Sequence, residues 1–455
     1  MSRNIYWCTA FAVLLGNPLN ALAASDTDPQ TVSEQIQQLK QSNMQLEQRL
    51  QQVENVAAQA QSAAQQSVRS SAAPSSANSF NPAVSLILSG TYEQLRQDPA
   101  IPATGFAMNP NDTGYTRGFS LQESELGFAA DIDPQYSGLA TISLAGDGGV
   151  GVENAFVQTS ALGNGLNLKF GRFFSGLGYL NEQHSHVWDF VDQPLVYRVL
   201  WGNQYADDGL QLKWLAPTDL FIEIGGELGR GLNYPGTDQN KNGAGAGVLF
   251  AHIGDDIGIE QSWRAGVSLQ QTRRVDAVSD NVPDLPGTPG GVSDSFSGDS
   301  RTAGLDLVWK YSPNGNIRER YLKVQGEYFR NYQDGMMTYD INHAASGPAT
   351  GSYSNTQSGW YLQSVYQFMP NWRTGLRYDR LTPGTASVDA SLAAGVISDY
   401  AYNPSRLTWM ADYNPSEFSR IRLQLAHDES RQGLMDNQVF VQYIMSLGAH
   451  GAHQY

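Results

Sequence analysis

Along much of the chain apolar and polar residues alternate with a period of two, and the last such stretch, residues 437–447, shows the pattern plainly. Val439, Val441, Tyr443, Met445 and Leu447 share one face, while Gln438, Gln442 and Ser446 share the other, interrupted by Phe440 and Ile444. This period predicts an extended strand with unlike surroundings on its two sides. Comparable strands are predicted to begin near Val84, Phe119, Tyr136, Val150, Leu166, Gly209, Asp219, Ala244, Ile259, Arg301, Arg320, Ser358, Asn371, Ser405, Phe418 and Asn437. That makes about sixteen; two weaker segments, around Val196 and Met336, would raise the number to eighteen. Even numbers suit a closed antiparallel barrel, and strands of roughly ten residues suffice to cross a bilayer. The predicted fold is therefore all-β, a transmembrane antiparallel barrel over residues 84–455.

Turn chemistry separates the closely spaced strands. Asp131-Ile-Asp-Pro134, Ala216-Pro-Thr-Asp219, Ser312-Pro-Asn-Gly315, Met369-Pro-Asn371 and Asn414-Pro-Ser416 read as short hairpins on the periplasmic side. The longer Gly/Pro/Asp/Ser segments at 97–117, 276–300, 334–356 and 382–403 read as external loops, one or more of which is a candidate to fold into the lumen.

The period changes before the barrel. Residues 1–24 carry Arg3, an apolar stretch from Ile5 to Leu15 and small residues at Ala21-Leu-Ala-Ala24, the layout of a cleaved export signal. Within residues 25–69, Val32, Ile36, Leu39, Asn43, Leu46, Leu50, Val53, Ala57, Ala60 and Ala64 repeat alternately four and three apart, predicting a short periplasmic α-helical coiled coil. Its polar remainder cannot be stable alone, so the chain is expected to self-associate. A Ser/Ala/Pro linker at 70–83 leads into the barrel.

Composition supports a barrel over a soluble enzyme or a helical membrane protein. There are 46 Gly, 22 Tyr, 17 Phe and 9 Trp with only 16% charged residues, and no mature segment approaches the apolar run of a membrane helix. Cys8 lies in the export signal, which leaves no thiol for disulfides or metals in the mature chain. A formal charge of −16 argues against a nucleic-acid partner.

If the apolar face of each strand meets lipid, the opposite face enters the lumen. That places Lys323, Arg373, Arg377, Arg406, Arg420 and Arg422 inside, a basic wall from four late strands, with Glu327, Asp379 and Asp412 among them. Such a wall either lines the pore and favours oxyanions, which match the guanidinium fork, or pairs with lumen carboxylates and stiffens the barrel. Glu123 and Glu125 alternate with Ser124 and Leu126 and form a candidate acidic counter-wall. Opposed walls would set a transverse field that favours ions and polar solutes.

Four of the seven histidines form two close pairs, His184-Ser-His186 and His450-Gly-Ala-His453. On a strand His184 and His186 would point the same way, a spacing able to hold Zn²⁺, with Glu182, Asp189 and Asp192 near enough in sequence to complete the site. The bland alternative is histidines hydrogen-bonded to their neighbours. His427 ends a lipid-facing row and reads as an interface residue. The sequence contains no nucleophile elbow, zincin motif, P-loop or dinucleotide fingerprint, so no enzyme activity and no resident cofactor are expected.

The segment Leu166-Asn-Leu-Lys-Phe-Gly-Arg-Phe-Phe-Ser-Gly-Leu177, the strand Asp207-Asp-Gly-Leu-Gln-Leu-Lys-Trp214 and the terminal Tyr455 resemble Gram-negative outer-membrane porins. Among them the chain looks most like the phosphate-selective porin O/P group and the sugar porins that carry a coiled coil. It departs from the phosphate porins in lacking a dense Lys/Arg loop. The resemblance implies an outer-membrane homotrimer, in contact with lipid and lipopolysaccharide, that passes small polar or anionic solutes by diffusion. Two other classes remain open: a Zn²⁺-binding or Zn²⁺-permeating barrel using His184, His186, His450 and His453, and a structural barrel attached to the cell wall through its coiled coil.

Overall fold

The structure is a computed structural model that describes residues 82–448 except 100, 110–113, 147, 160–161, 238–239, 281–291, 345–346 and 393–400. The export signal, the coiled coil, nearly all of the linker and the His450/His453 pair lie outside the described residues.

The elements are β1 (Ala83–Gln94), β2 (Gly118–Leu121), β3 (Ser124–Asp133), β4 (Tyr136–Leu144), β5 (Val150–Thr159), β6 (Leu166–Phe174), α1 (Leu195–Trp201), β7 (Ala206–Leu215), β8 (Phe221–Gly229), β9 (Ala246–Ile257), β10 (Gln261–Asp280), β11 (Ser293–Tyr311), β12 (Tyr321–Tyr339), β13 (Ala349–Met369), β14 (Trp372–Thr382), β15 (Ser387–Val388), β16 (Ser405–Ser416), β17 (Ser419–Glu429) and β18 (Asp436–Gly448). Three 3₁₀ turns complete the set among the described residues. Each long strand pairs antiparallel with its sequence neighbours, and β1 closes the circle on β18 from Ser85↔Gly448 to Gln94↔Val439. The two shortest segments do not add staves. β2 and β3 are one interrupted strand, both paired to β1, and β15 only lengthens the edge above β13. The barrel therefore has sixteen strands, the lower of the two numbers that the alternation leaves open.

Eighteen is excluded by the fate of the two weaker segments. Val196 lies in α1, where Pro194 caps the start and Gly202, at φ +61°, ends the helix in the left-handed region. The run Leu195-Val-Tyr-Arg-Val-Leu-Trp is apolar nearly all round, which suits a buried helical turn as well as a strand. Met336 simply continues β12. Of the expected external loops, residues 276–280, 293–300, 334–339 and 349–356 are strand as well, because β10 to β13 run for 19 to 21 residues, about twice what a bilayer needs. Their surplus projects beyond the apolar belt as a taller wall.

Alternation decides which side each residue meets. On β18, Val441, Tyr443, Met445 and Leu447 face outward, while Gln438, Phe440, Gln442 and Ile444 are buried inside. Phe440 breaks the polar row because it packs inside the barrel with Leu95, Val191 and Ala426. Outward aromatics mark two levels: Trp372 meets Tyr413 with ring centroids 4.7 Å apart near the short turns, and Trp360 meets Tyr378 at 5.6 Å higher up. Six residues separate Trp372 from Tyr378 along β14, roughly 20 Å at strand rise. Leu362, Leu376, Leu407, Leu423 and Leu425 fill the belt between. A closed wall leaves no unpaired backbone edge, so this surface can face hydrocarbon without cost to its peptide groups.

Candidate functional site

The interior is organised by residues 175–205, the connection from β6 to β7, which turns inward rather than projecting as an external loop. The expected external-loop list did not include it, so this is the main correction to the organisation read from the sequence. Asn181 makes the neck: its Nδ2 donates to the carbonyls of Ser175 and Tyr205 at 2.8 Å each, and its Oδ1 accepts Tyr205 N–H at 2.8 Å. Beyond the neck, Leu177, Leu180, Tyr197, Val199, Leu200 and Trp201 pack against Val248 and Phe250 of β9, Phe329 of β12, Tyr361 of β13 and Leu381 of β14. A core of this kind, inside the lumen, is what a helix apolar on all sides requires.

Two carboxylates anchor the start of the loop. Glu227 Oε1 accepts the Gly176 N–H at 2.8 Å. Glu327 accepts the N–H of Tyr179 at 3.0 Å and of Leu180 at 3.1 Å, the Tyr197 hydroxyl at 2.8 Å and the Tyr361 hydroxyl at 2.5 Å. Gly178 makes the approach possible. Its φ is +68°, and a Cβ there would lie 2.2 Å from Glu327 Oε2 and 2.7 Å from the Tyr197 hydroxyl.

The middle of the loop carries Asp189 and Asp192 to the basic wall. Asp189 is bound by Lys323 Nζ at 3.0 Å and Arg373 Nη1 at 3.1 Å. Asp192 accepts Arg377 Nη2 at 2.8 Å, Arg406 Nη1 at 2.6 Å, Gln424 at 3.0 Å and the Tyr115 hydroxyl at 2.6 Å. Behind them Asp379 pairs with Arg377 at 3.1 Å, and Asp412 pairs with Arg422 at 2.7 Å and with Arg373. Arg420 and Arg422 also donate to loop carbonyls, Arg420 to His186 and Trp188 and Arg422 to Trp188. Burial alone would raise the Asp189 carboxyl, but the charges of Lys323 and Arg373 outweigh it and hold the group down at about 2. Burial opposes ionisation of Asp192 too, and Arg406 and Arg377 keep its carboxyl well below the usual range.

The opposite side of the loop meets the acidic wall. His186 Nδ1 lies 2.8 Å from Glu125 Oε1, and His184 Nδ1 lies 3.1 Å from Glu125 Oε2 and 3.0 Å from Glu153 Oε2. Glu123 lies beside Glu153 and Glu125. Burial would lower the His184 imidazole, but its hydrogen bonds to Glu125 and Glu153 and their charge raise it to about 10. The loop thus spans the lumen with histidines toward the acids of β3 and β5 and aspartates toward the cations of β12, β14, β16 and β17.

All six cations of the basic wall face inward, and each is engaged with a carboxylate. Arg377, Arg406 and Arg422 are only 1% exposed. Asp379 and Asp412 are among the partners, and two more come from the loop. Glu123 and Glu125 also face inward, but beside the histidine pair rather than along an open wall. His184 and His186 are brought together with a carboxylate, though not with those near them in sequence: Asp189 and Asp192 reach the basic wall instead, so Glu125 and Glu153 take the places foreseen for them. His427 is exposed and bonds Asn437 at 2.8 Å. Sequence reasoning missed Glu153 and the role of Glu327. Glu153 sits at a bulge of β5, where the register shifts between Asn154 and Val152; simple alternation gives it the parity of the exposed Ala155 and turns it outward, so no local signal marked it.

A closed sixteen-stranded antiparallel barrel with an apolar outer belt and a loop latched across its interior defines a bilayer-spanning β-barrel. The chain belongs to the same family as an "Uncharacterized protein" of Aquifex aeolicus (strain VF5), to which it is 31% identical over 411 residues, covering 84% of this chain and 81% of that protein. No family model matches the chain. Solved structures similar to it include OmpT of Vibrio cholerae in its trimer form, with TM-score 0.48 and 11% identity, covering 80% of this chain and 99% of that one. An anion-selective porin from Comamonas acidovorans is similar at TM-score 0.48 and 13% identity, covering 80% and 99%. The outer membrane channel DcaP of Acinetobacter baumannii is similar at TM-score 0.46 and 12% identity, covering 80% and 97%.

Proposed function

We propose that the protein is an outer-membrane porin that lets small polar or anionic solutes diffuse passively, with residues 175–205 as the element that narrows the lumen. The observation that carries this reading is the loop itself, suspended between two walls of opposite charge inside a closed barrel. A loop held by this many buried ion pairs sets a fixed aperture, because removing any one partner leaves an uncompensated buried charge. Six wall cations face four carboxylates, Asp189, Asp192, Asp379 and Asp412, in the same cluster. The guanidinium forks on that side suit anions, and the acid-rich opposite side supplies the transverse field. The reading places the short turns on the periplasmic side and takes the chain as a homotrimer held by its N-terminal heptad pattern.

The test is single-channel recording of the refolded full chain in a planar bilayer under a KCl gradient. Stepwise openings in groups of three, with a reversal potential on the chloride side, are expected. A folded barrel that shows no conductance overturns the reading.

A further inference from the structure

We propose that Glu125, His184 and His186, with Glu153 as a fourth donor, form a binding site for one Zn²⁺ ion, which fastens the inward loop to the β3 and β5 wall. This goes beyond the channel reading and does not depend on it.

The observation is geometric. Two imidazole nitrogens from one short loop segment converge on a single carboxylate, and the donor atoms of Glu125, His184 and His186 all lie within 4.8 Å of one another. A tetrahedral Zn²⁺ with bonds of about 2.0–2.1 Å to nitrogen holds its donors about 3.3 Å apart. Each imidazole already stands near that distance from a carboxylate oxygen: His186 Nδ1 lies 2.8 Å from Glu125 Oε1, and His184 Nδ1 lies 3.1 Å from Glu125 Oε2 and 3.0 Å from Glu153 Oε2. The imidazole rings lie 5.7 Å apart, centre to centre, and 31° from coplanar, so both Nδ1 atoms can meet one ion by small rotations.

The charge requirement points the same way. Glu123, Glu125 and Glu153 crowd one another in a site enclosed by the loop. Three carboxylates outnumber the two imidazoles that pair with them, so the site has charge to spare for a divalent cation that displaces the imidazole protons, and two imidazoles select a borderline transition metal over Ca²⁺ or Mg²⁺, which prefer oxygen alone. The 3₁₀ turn at Ser185–Val187 fixes the spacing of the two histidines. Loading asks an adjustment at Asn154, at the expense of the hydrogen bond that its Oδ1 accepts from the Phe174 N–H at 3.2 Å. Asn154 Nδ2 lies 3.1 Å from His184 Nε2, and because metal on Nδ1 leaves Nε2 protonated, the Asn154 amide must turn its carbonyl toward that nitrogen.

The experiment uses the full chain, purified folded, stripped with a chelator and dialysed against Zn²⁺ alone. About one zinc per chain is expected to remain, both in the wild type and in a His450→Ala/His453→Ala variant, which removes the tail pair. Zinc is expected to be lost in His184→Ala/His186→Ala, with folding verified by heat-modifiable gel mobility. Absence of retained zinc in the wild type, its loss with the tail histidines, or its retention after loss of His184 and His186 each overturns the site. Should that double variant not fold, X-ray absorption of the zinc-loaded wild type decides: two-imidazole scattering supports the assignment, and a shell without imidazole rejects it. Zinc retention is read separately from conductance, so failure here leaves the porin reading standing, and the reverse holds too.

Discussion

Arg406 on β16 donates to Asp192 on the inward loop at 2.6 Å, across 214 residues of sequence, and the same carboxylate accepts Arg377 at 2.8 Å. One loop aspartate thus ties two staves of the basic wall to the element that crosses the lumen.

Removing that carboxylate leaves two guanidinium groups buried without it. Asp192→Asn is expected to weaken the seating of the loop by about 3–5 kcal/mol, the usual cost of breaking one side of a buried pair. Single-channel conductance should rise and the reversal potential should move further toward anions. Adding Arg406→Gln to the same variant should restore part of the wild-type selectivity, since it removes one of the stranded charges. An unchanged conductance in the single variant would show that the loop is held without Asp192.

Gly178 admits no side chain where Glu327 and Tyr197 close in. Gly178→Val is expected to break the contacts of Glu327 with Tyr179, Leu180 and Tyr197 while leaving the wall intact. Limited proteolysis should then cut between 175 and 205 in the variant and not in the wild type, with heat-modifiable mobility preserved in both.

Phe329 is fully buried on the inner face of β12, with its ring centroid 4.8 Å from that of Trp201 and 5.4 Å from that of Tyr197. Phe329→Ala removes a large side chain from a packed core, a change that costs about 3–5 kcal/mol. Because the cavity opens between loop and wall, the loss should fall on the loop: the barrel should keep its melting behaviour by circular dichroism, and loop protection from hydrogen exchange should drop.

The Asp189 carboxyl is held at about 2, below the 3.8 of an unperturbed aspartate, by Lys323 and Arg373. A depressed carboxyl stabilises the seated loop fully above pH 3.8 and loses that contribution as the pH falls through about 2. Asp189 therefore predicts that the latch is at full strength from pH 7 down to about 4 and weakens below it. Comparing conductance against pH in wild type and Asp189→Asn checks this: the wild-type change below pH 4 should be smaller in the variant, which has no carboxyl there to protonate.

The staves were legible in the sequence because a strand between hydrocarbon and a polar interior must alternate. Leu407, Trp409 and Tyr413 against Arg406 and Asp412 leave one way to place β16. Legibility failed where that contrast disappears. Beyond the apolar belt, the upper parts of β10 to β13 have no lipid to face, so Ser, Asp and Gly occur on both sides and read as loop. The site was half legible: parity turned the six cations and Glu125 inward, but nothing local distinguished Asp189 and Asp192 from other loop acids.

The sequence by itself determined that the chain is a barrel of sixteen or eighteen strands, which face of each meets lipid and which charges enter the barrel, since these follow from a period of two and from the cost of burying charge in hydrocarbon; the structure settled the number at sixteen. Only the tertiary structure decided that 175–205 turns inward, that the basic wall is answered by Asp189 and Asp192, and that His184 and His186 meet Glu125 and Glu153. The reason is the closure of the barrel. It sets β3 and β5 on one side of the lumen and β12 to β17 on the other, and residues over two hundred positions apart become neighbours through a geometry no local pattern encodes.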